Sequence, residues 1–416
     1  MSPQFQAPTG THDVLAPESA RWEVLVAAFS RHAGAAGYGL VVGPSFEELA
    51  VYERVGDSTD IVRKEMYDFE DKGGRRLALR PDSTPSVVRA FVQHRPPLPW
   101  KAWYVAPHFR YDRPQAGRYR QHHQVGAEVL GTDDPAVDVE VIALAWDFIG
   151  GLGVRGIELM VNSIGDPVCR PGYREALLAH LEARTLCNEH AGRYADNPLR
   201  VLDCKRDACI AATAEAPRLV AHLCEPCAAH FGAVTAGLEA LGIPFRLEGR
   251  LVRGQDYYTR TTFEFASNAL EGAQNGVGGG GRYDGFVEAM GGPATPGIGF
   301  GLGIERLLLA ADAEGVFGVP DAPLDAFVVD TAGGSHALLL TRELRQAGMA
   351  ADRAYDNRSM KAQVKAADKS GARFALIIGE DEAAAGTVVV RDLRQGTAQE
   401  SVARDDVIDT LRKRLP

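Results

Sequence analysis

The stretch Phe109–Glu128, FRYDRPQAGRYRQHHQVGAE, constrains this chain more than any other. It reads as strand, arginine-rich loop, strand. The apolar run WYVAPHF leads to Phe109, and the far side alternates through Gln124, Gly126 and Glu128. Two strands joined by a charged loop set side chains from both on one sheet face. Arg110 from the first strand and Gln124 and Glu128 from the second then share a pocket. Arginine offers a planar fork to phosphate, whereas carboxylate and amide suit an ammonium or a ring N–H. The predicted site holds an anionic nucleotide beside a small cationic or zwitterionic substrate.

The 416 residues allow two or three domains. A net charge of −10 argues against non-specific nucleic-acid binding, although a local basic face suffices for an RNA partner. No apolar run reaches the roughly 18 residues of a membrane span. The N-terminus lacks the basic region and apolar core of a secretory signal, so the expected compartment is the cytoplasm.

Residues 1–320 read as one large α/β unit and 324–416 as a second domain, joined by the Pro- and Gly-rich run VFGVPDAPLDA at 316–326. The first unit opens with a helix at 18–37. Strands at Phe69 and Leu77–Leu79 form a hairpin across DKGGRR, and a helix runs from Ser83 to His94 with Asp82 or Ser83 as its cap. Strands dominate 101–130, and a helix spans 133–151. From 166 to 243 the chain turns helical and Ala-rich, which reads as an insertion with its own small core. The tail alternates strand and helix, which predicts a mostly parallel sheet with helices on both faces.

The six cysteines all fall between 169 and 227. A cytoplasmic protein is a poor setting for a disulfide framework. Cys187-x-x-His190 and Cys224-x-x-Cys227 have zinc-knuckle spacing, with Cys204 and Cys209 between them. One reading is a single structural zinc tying the insertion together. The other, which the sequence favours, is a set of small thiols without metal.

Four further stretches accompany Phe109–Glu128 in order: LALRPDSTPSVVRAF at 77–91, LVRGQDYYTRTTFEF at 251–265, GGGGRYDGFVEAMGG at 278–292 and GIGFGLGIERLLL at 297–309. With VYERVGDSTDIVRKEMYDFED at 51–71, they resemble the class II aminoacyl-tRNA synthetases, and Phe109–Glu128 resembles motif 2 of the histidyl family. The resemblance runs over nearly the whole chain. The pairing of LVRG-x-DYY with RPQ-x-GRYRQ-x-HQ-x-G-x-E is highly specific. It implies an α+β class II catalytic core, an antiparallel sheet flanked by helices, with a helical insertion and a C-terminal α/β anticodon-binding domain. It also implies ATP as substrate with Mg2+ on its phosphates, histidine and histidine tRNA as partners, and a homodimer formed through motif 1 near Tyr38–Glu48.

The implied reaction makes histidyl-adenylate and passes the histidyl group to tRNA. Such chemistry needs positioning and cations around an anionic transition state, not a covalent nucleophile. By resemblance, Arg110 holds the α-phosphate and the substrate carboxylate, Arg306 contacts ATP, and Arg253 stands beside the α-phosphate as a metal ion would. Arg110 and Arg253 are the expected catalytic pair. A lone arginine is more often a solvated surface charge, but these three fall in three matched motifs. Glu128 and Tyr258 face the imidazole. Asp82, Thr84 and Gln124 take the α-ammonium, Ser83 belongs to the same pocket run, and Tyr257 and Tyr283 complete the wall. A carboxylate and a phenol satisfy both ring nitrogens of one tautomer, which discriminates against substrates lacking the ring. Gly278–Gly281 lets backbone approach a ligand closely and is no Walker loop. Arg113, Gln115, Arg118 and Arg120 face the tRNA acceptor end.

Two positions depart from the family pattern. R-P-D-S-T at 80–84 stands where R-P-E-G-T is usual, and Asp112 replaces a glutamate in motif 2. R-P-D also occurs in a non-catalytic paralogue, the regulatory subunit of ATP phosphoribosyltransferase, which is the rival reading. That paralogue usually lacks the tail domain and has an eroded motif 2. This chain keeps the tail together with Arg110, Gln124, Glu128, Arg253 and Arg306.

Overall fold

The computed structural model describes residues 5–54, 61–195, 197–252, 257–270, 275–320, 324–356, 358–394 and 399–415. The chain divides into two compact units, Met1–Gly318 and Val319–Pro416.

The first unit is built on an eight-stranded sheet. Its strands are β1 (Gly39–Leu40), β2 (Trp100–Phe109), β3 (Gln121–Leu130), β4 (Ile157–Ser163), β5 (Arg246–Leu247), β6 (Thr259–Ser267), β7 (Gly276–Arg282) and β8 (Gly297–Gly303). The spatial order is β1-β2-β3-β8-β7-β6-β4-β5. Interior pairs are antiparallel, and the edge pairs β1–β2 and β4–β5 run parallel. The main helices are α1 (Glu18–Ala35), α2 (Thr84–His94), α3 (Pro135–Gly151), α4 (Arg170–Glu182), α5 (Glu225–Ala240) and α6 (Ile304–Glu314).

Period-2 alternation gives the sheet two unlike faces. In β3, Val125, Ala127 and Val129 point into the main core, as do Ile298, Phe300 and Leu302 in β8. The intervening Gln124 and Glu128, and the glycines of β8, lie on the other face. The core face packs on Leu25 and Phe29 of α1 and on α3, which is buried along most of its length. Asp134 caps α3 by accepting from the Ala136 N–H at 2.9 Å, with Pro135 at the first helical position. A small sheet beside the large one orders Phe46–Glu48, Arg76–Leu79 and Asp68–Glu70, and the hairpin expected across DKGGRR pairs Phe69 with Leu77.

The insertion differs from the sequence reading. Tyr173, Leu177 and Leu181 of α4 form a separate core with Val201, Leu202 and Ala212. However, α5 leaves that group, because its Phe231, Val234 and Leu238 join the main core. A buried network fixes it there: Arg282 Nε donates to Asp138 Oδ1 at 3.0 Å, and His230 Nε2 lies 2.9 Å from Asp138 Oδ2. The pairing with Arg282 and the hydrogen bond to His230 hold Asp138 below its ordinary pKa despite burial.

The second unit contains β9 (Ala326–Asp330), β10 (Ala351–Arg353), β11 (Phe374–Ile378), β12 (Thr387–Asp392) and β13 (Glu400–Ala403), in the order β10-β9-β11-β12-β13. The first three are mutually parallel, and β12 and β13 add antiparallel. The sequence reading omitted β13 and a helix at Glu380–Ala385. Both faces are covered: Ala326 and Val328 pack with Leu340 and Leu411, while Phe327 and Val329 pack with Ala367. Among the described residues of the chain, no helix is long and apolar enough to cross a membrane.

Candidate active site

A cleft of about 410 Å³ opens over the polar face of β3, β8 and β7. Glycine makes it. Gly299 pairs with Glu128, and a Cβ on Gly299 would sit 1.6 Å from Glu128 Oε2. A Cβ on Gly301 would meet Gln124 Oε1 at 2.7 Å. The bare strand therefore leaves space for the Glu128 and Gln124 side chains to lie across it.

Asp82, Thr84, Gln124 and Tyr258 line the cleft together with Arg110, Arg118 and Arg306. Arg110 is held by its Nε, which donates to the Pro81 carbonyl at 2.9 Å, so the R-P-D-S-T run and the motif 2 arginine position each other. Arg80 of that run is buried and structural: its Nε donates to Pro107 O at 2.7 Å and its Nη1 to Pro44 O at 3.1 Å. Arg306, at the start of α6, donates from Nε to Gly117 O at 3.0 Å and from Nη1 to Gly276 O at 2.5 Å. Gly117 has φ +69°, and a Cβ there would lie 2.8 Å from Leu309, so the arginine-rich loop rests on α6 only as glycine. Burial and the neighbouring Arg118 and Arg110 lower the Arg306 pKa, as crowded cations do. An anion entering here meets several guanidiniums whose geometry is already fixed.

Glu128 is fully buried and accepts from Thr84 Oγ1 and from the Tyr283 hydroxyl, both at 2.6 Å. Burial pushes its pKa up to about 8, with the two hydrogen bonds pulling the other way. It therefore stands behind the cleft surface, with Tyr283. Tyr257 is also set back, stacked on Phe286 at 4.6 Å, with its hydroxyl donating to Asp82 Oδ2 at 3.0 Å. It thus orients the carboxylate that shortens the family pattern by one methylene.

Other expected residues lie elsewhere. Ser83 is buried and its hydroxyl lies 2.7 Å from His108 Nε2, so it does not line the cleft, and it holds the N-cap position of α2 without a side-chain capping bond. Its oxygen is claimed by a histidine that burial and Arg110 keep neutral. Arg253 lies outside the described residues. In the loop, Arg113 and Gln115 are exposed, whereas Arg118 pairs with Asp112 and the Arg120 guanidinium stacks 4.0 Å over Tyr111. The sequence reading missed Tyr104, His122, Glu264 and Glu305, which also line the cleft. His122 shares the strand face of Gln124 and Glu128, so alternation alone could have found it. Burial and Arg110 push its pKa down to about 2.

The alternative of a single zinc site made by Cys187, His190, Cys224 and Cys227 does not match the fold, which keeps the two pairs apart. Each half instead meets partners distant in sequence: Cys187 and His190 gather with Cys204 and Cys209, and Cys224 and Cys227 with Asp166 and Cys169.

Residues 10–307 match the family model for histidyl-tRNA synthetase, and residues 328–414 match that for an anticodon binding domain. The histidine–tRNA ligase of Pelotomaculum thermopropionicum is 48% identical over 419 residues, which cover 98% of this chain and 97% of that one. The crystal structure of apo S. aureus histidyl-tRNA synthetase matches with a TM-score of 0.82 at 34% identity, covering 98% of this chain and 100% of that one. A structure from Bacillus halodurans C, described as an ATP phosphoribosyltransferase regulatory subunit/histidyl-tRNA synthetase, matches with a TM-score of 0.66. At 20% identity, over 91% of this chain and 99% of that one, it shares the fold alone. Two matched domains and a relative of nearly equal length lead to one conclusion: the chain belongs to the histidyl-tRNA synthetase family.

Proposed function

We propose that this cleft activates histidine with ATP and that the chain then transfers the histidyl group to its tRNA. The observation that carries the reading is the convergence of Arg110 and Arg306 with Asp82, Thr84, Gln124 and Tyr258 in one cleft. In the first step a histidine carboxylate oxygen bonds to the α-phosphorus, the bond to the bridging oxygen breaks, and pyrophosphate leaves. In the second, a terminal ribose hydroxyl of the tRNA attacks the activated carbonyl and AMP leaves. Arg110 aligns carboxylate and phosphate for in-line attack, and Arg306 holds the nucleotide. Arg253, which follows the cleft residue Val252 in sequence, takes the α-phosphate by its motif. Asp82 and Gln124 bind the ammonium, while Glu128 and Tyr258 read the imidazole. Mg2+ screens the phosphates when bound, and Glu264, a cleft carboxylate, would help to hold it.

The exposed Arg113 and Gln115 suit the tRNA acceptor end, and the tail domain suits the anticodon stem. A homodimer fits motif 1, where Leu40, Val42 and Phe46 are exposed beside a groove of about 840 Å³. The enzyme acts in the cytoplasm in this reading.

Histidine-dependent ATP–pyrophosphate exchange, with the other amino acids as controls, tests the proposal. Exchange with histidine alone is expected. No exchange from folded protein would move the reading to the regulatory paralogue.

A further inference from the structure

All six cysteines fall in two compact clusters, and the chemistry described above uses neither. In the first, Cys187, His190, Cys204 and Cys209 each offer one ligand atom, all within 4.8 Å of one another. In the second, Asp166, Cys169, Cys224 and Cys227 do the same. We propose that the insertion binds two structural zinc ions, one in a Cys3His site and one in a Cys3Asp site.

The first cluster has the dimensions of a tetrahedron around zinc. Bonds of about 2.3 Å to sulfur and about 2.0 Å to nitrogen give ligand–ligand edges of roughly 3.8 Å (S–S) and roughly 3.5 Å (S–N). Cys187 Sγ lies 3.9 Å from Cys204 Sγ and 3.2 Å from His190 Nδ1, and Cys209 Sγ lies 3.7 Å from the same nitrogen. Atoms this close enclose one ion. Three thiolates and an imidazole select a soft or borderline metal over Mg2+ or Ca2+.

The second cluster is built in the same way. Cys169 Sγ lies 3.3 Å from Cys224 Sγ, and Cys224 Sγ lies 3.9 Å from Asp166 Oδ2. The other carboxylate oxygen is already oriented, accepting from the Val168 N–H at 2.9 Å and the Cys169 N–H at 3.1 Å. In both clusters a backbone N–H supports a sulfur: Cys224 N donates to Cys169 Sγ at 3.1 Å, and Cys187 N to Cys209 Sγ at 3.5 Å. Such outer contacts orient ligands and stabilise thiolate. The six thiols are free, and the sulfur separations far exceed the roughly 2.05 Å of a disulfide.

The placement explains what the ions would do. The helices Leu199–Asp203 and Asp207–Thr213 are too short to persist without support. The Cys3His site ties them to the 187–190 turn. The Cys3Asp site closes the base of the insertion, joining the chain just after β4 to the start of α5. The first site also reaches the cleft: Asp203, which lines it, precedes the ligand Cys204, whose carbonyl accepts from Arg250 Nη2 at 3.1 Å. Zinc there would stiffen one cleft wall. Binding releases the thiol protons and involves no redox step.

The test is zinc content by mass spectrometry of the full chain, expressed in zinc-supplemented medium and purified reduced, without chelator. Two ions per chain are expected, falling to one in Cys204→Ser and to one in Cys224→Ser. Because either variant could misfold, the wild-type chain is also stripped and titrated with Co2+. Two equivalents should bring the intense visible bands of tetrahedral thiolate cobalt. One ion that only Cys204→Ser removes would overturn the Cys3Asp site, as would a Cys169–Cys224 disulfide found by mass. No zinc and no thiolate–cobalt bands from folded, reduced protein would overturn both.

Discussion

The Tyr283 hydroxyl donates to Glu128 Oε2 at 2.6 Å where both side chains are shut away from solvent. The contact looks like ordinary core satisfaction, yet it works against burial in setting the protonation state of the residue assigned to the imidazole. A buried carboxylate with one phenol and one hydroxyl as partners lacks a full counter-charge, so burial wins and the proton is retained to about pH 8. A bound imidazole N–H would replace one of those donors.

This gives a signed pH dependence. The Glu128 pKa rises from 4.5 to about 8 on folding. Between those values the native state holds a proton that the unfolded chain releases, so stability falls as pH rises. The contribution is complete below the lower value and gone above the upper one. Glu128→Gln removes the proton equilibrium. In urea unfolding, the variant should gain on the wild type between pH 5 and pH 8, by on the order of a few kcal/mol. Parallel curves would mean that Glu128 is ionised throughout.

The glycine at 299 is the second test of the same pocket. A methyl group there meets Glu128 Oε2 at 1.6 Å and the Ala127 carbonyl oxygen at 2.7 Å, so the carboxylate must leave its place and the strand backbone is pressed as well. Gly299→Ala should displace Glu128 and raise the KM for histidine in exchange by about 100-fold or more, with a smaller change in the KM for ATP. Equal changes in both would place the damage in the sheet rather than in recognition.

What could be read from the chain follows from which interactions are local. Alternation in GIGFGLG and in QHHQVGAEVL marks core face and cleft face residue by residue. The helices announce themselves by Pro and Asp at their starts. Ser83 could not be placed, because it opens α2 while the partner that claims its hydroxyl, His108, stands on β2. The division of the cysteines was hidden for the same reason, since knuckle spacing identifies pairs and only the fold chooses which pairs meet. Likewise α5 reads as part of the Ala-rich insertion until Phe231 and Val234 are seen in the main core. Its buried anchor, His230, depends on Asp138, which lies far away in sequence.

Arg306 has a double attachment that separates charge from geometry. Its two backbone bonds hold the loop glycine Gly117 and the strand glycine Gly276 together. Lysine keeps the charge but cannot make both bonds. Arg306→Lys should therefore lose nearly as much exchange activity as Arg306→Ala, about 100-fold or more in each case. Recovery of most activity in the lysine variant would show that charge alone matters.

The tail unit has its own two-faced core, with Val328, Leu340 and Leu411 on one side of the sheet and Val329 and Ala367 on the other. The cleft is lined wholly by residues of the first unit. Removing 324–416 should thus leave the adenylate-forming groups in place. In a truncated chain that remains folded by circular dichroism, histidine-dependent exchange should persist within about tenfold, while charging of histidine tRNA should fall by about 100-fold or more. The lysines at 361, 365 and 369, exposed on the helix Met360–Lys369, supply a finer version of the same experiment. Reversing their charge in the full chain should weaken tRNA charging, increasingly so at low salt, where phosphate contacts matter most, and leave exchange unchanged. If truncation reduced both steps equally, the tail would be supporting the catalytic unit rather than holding RNA.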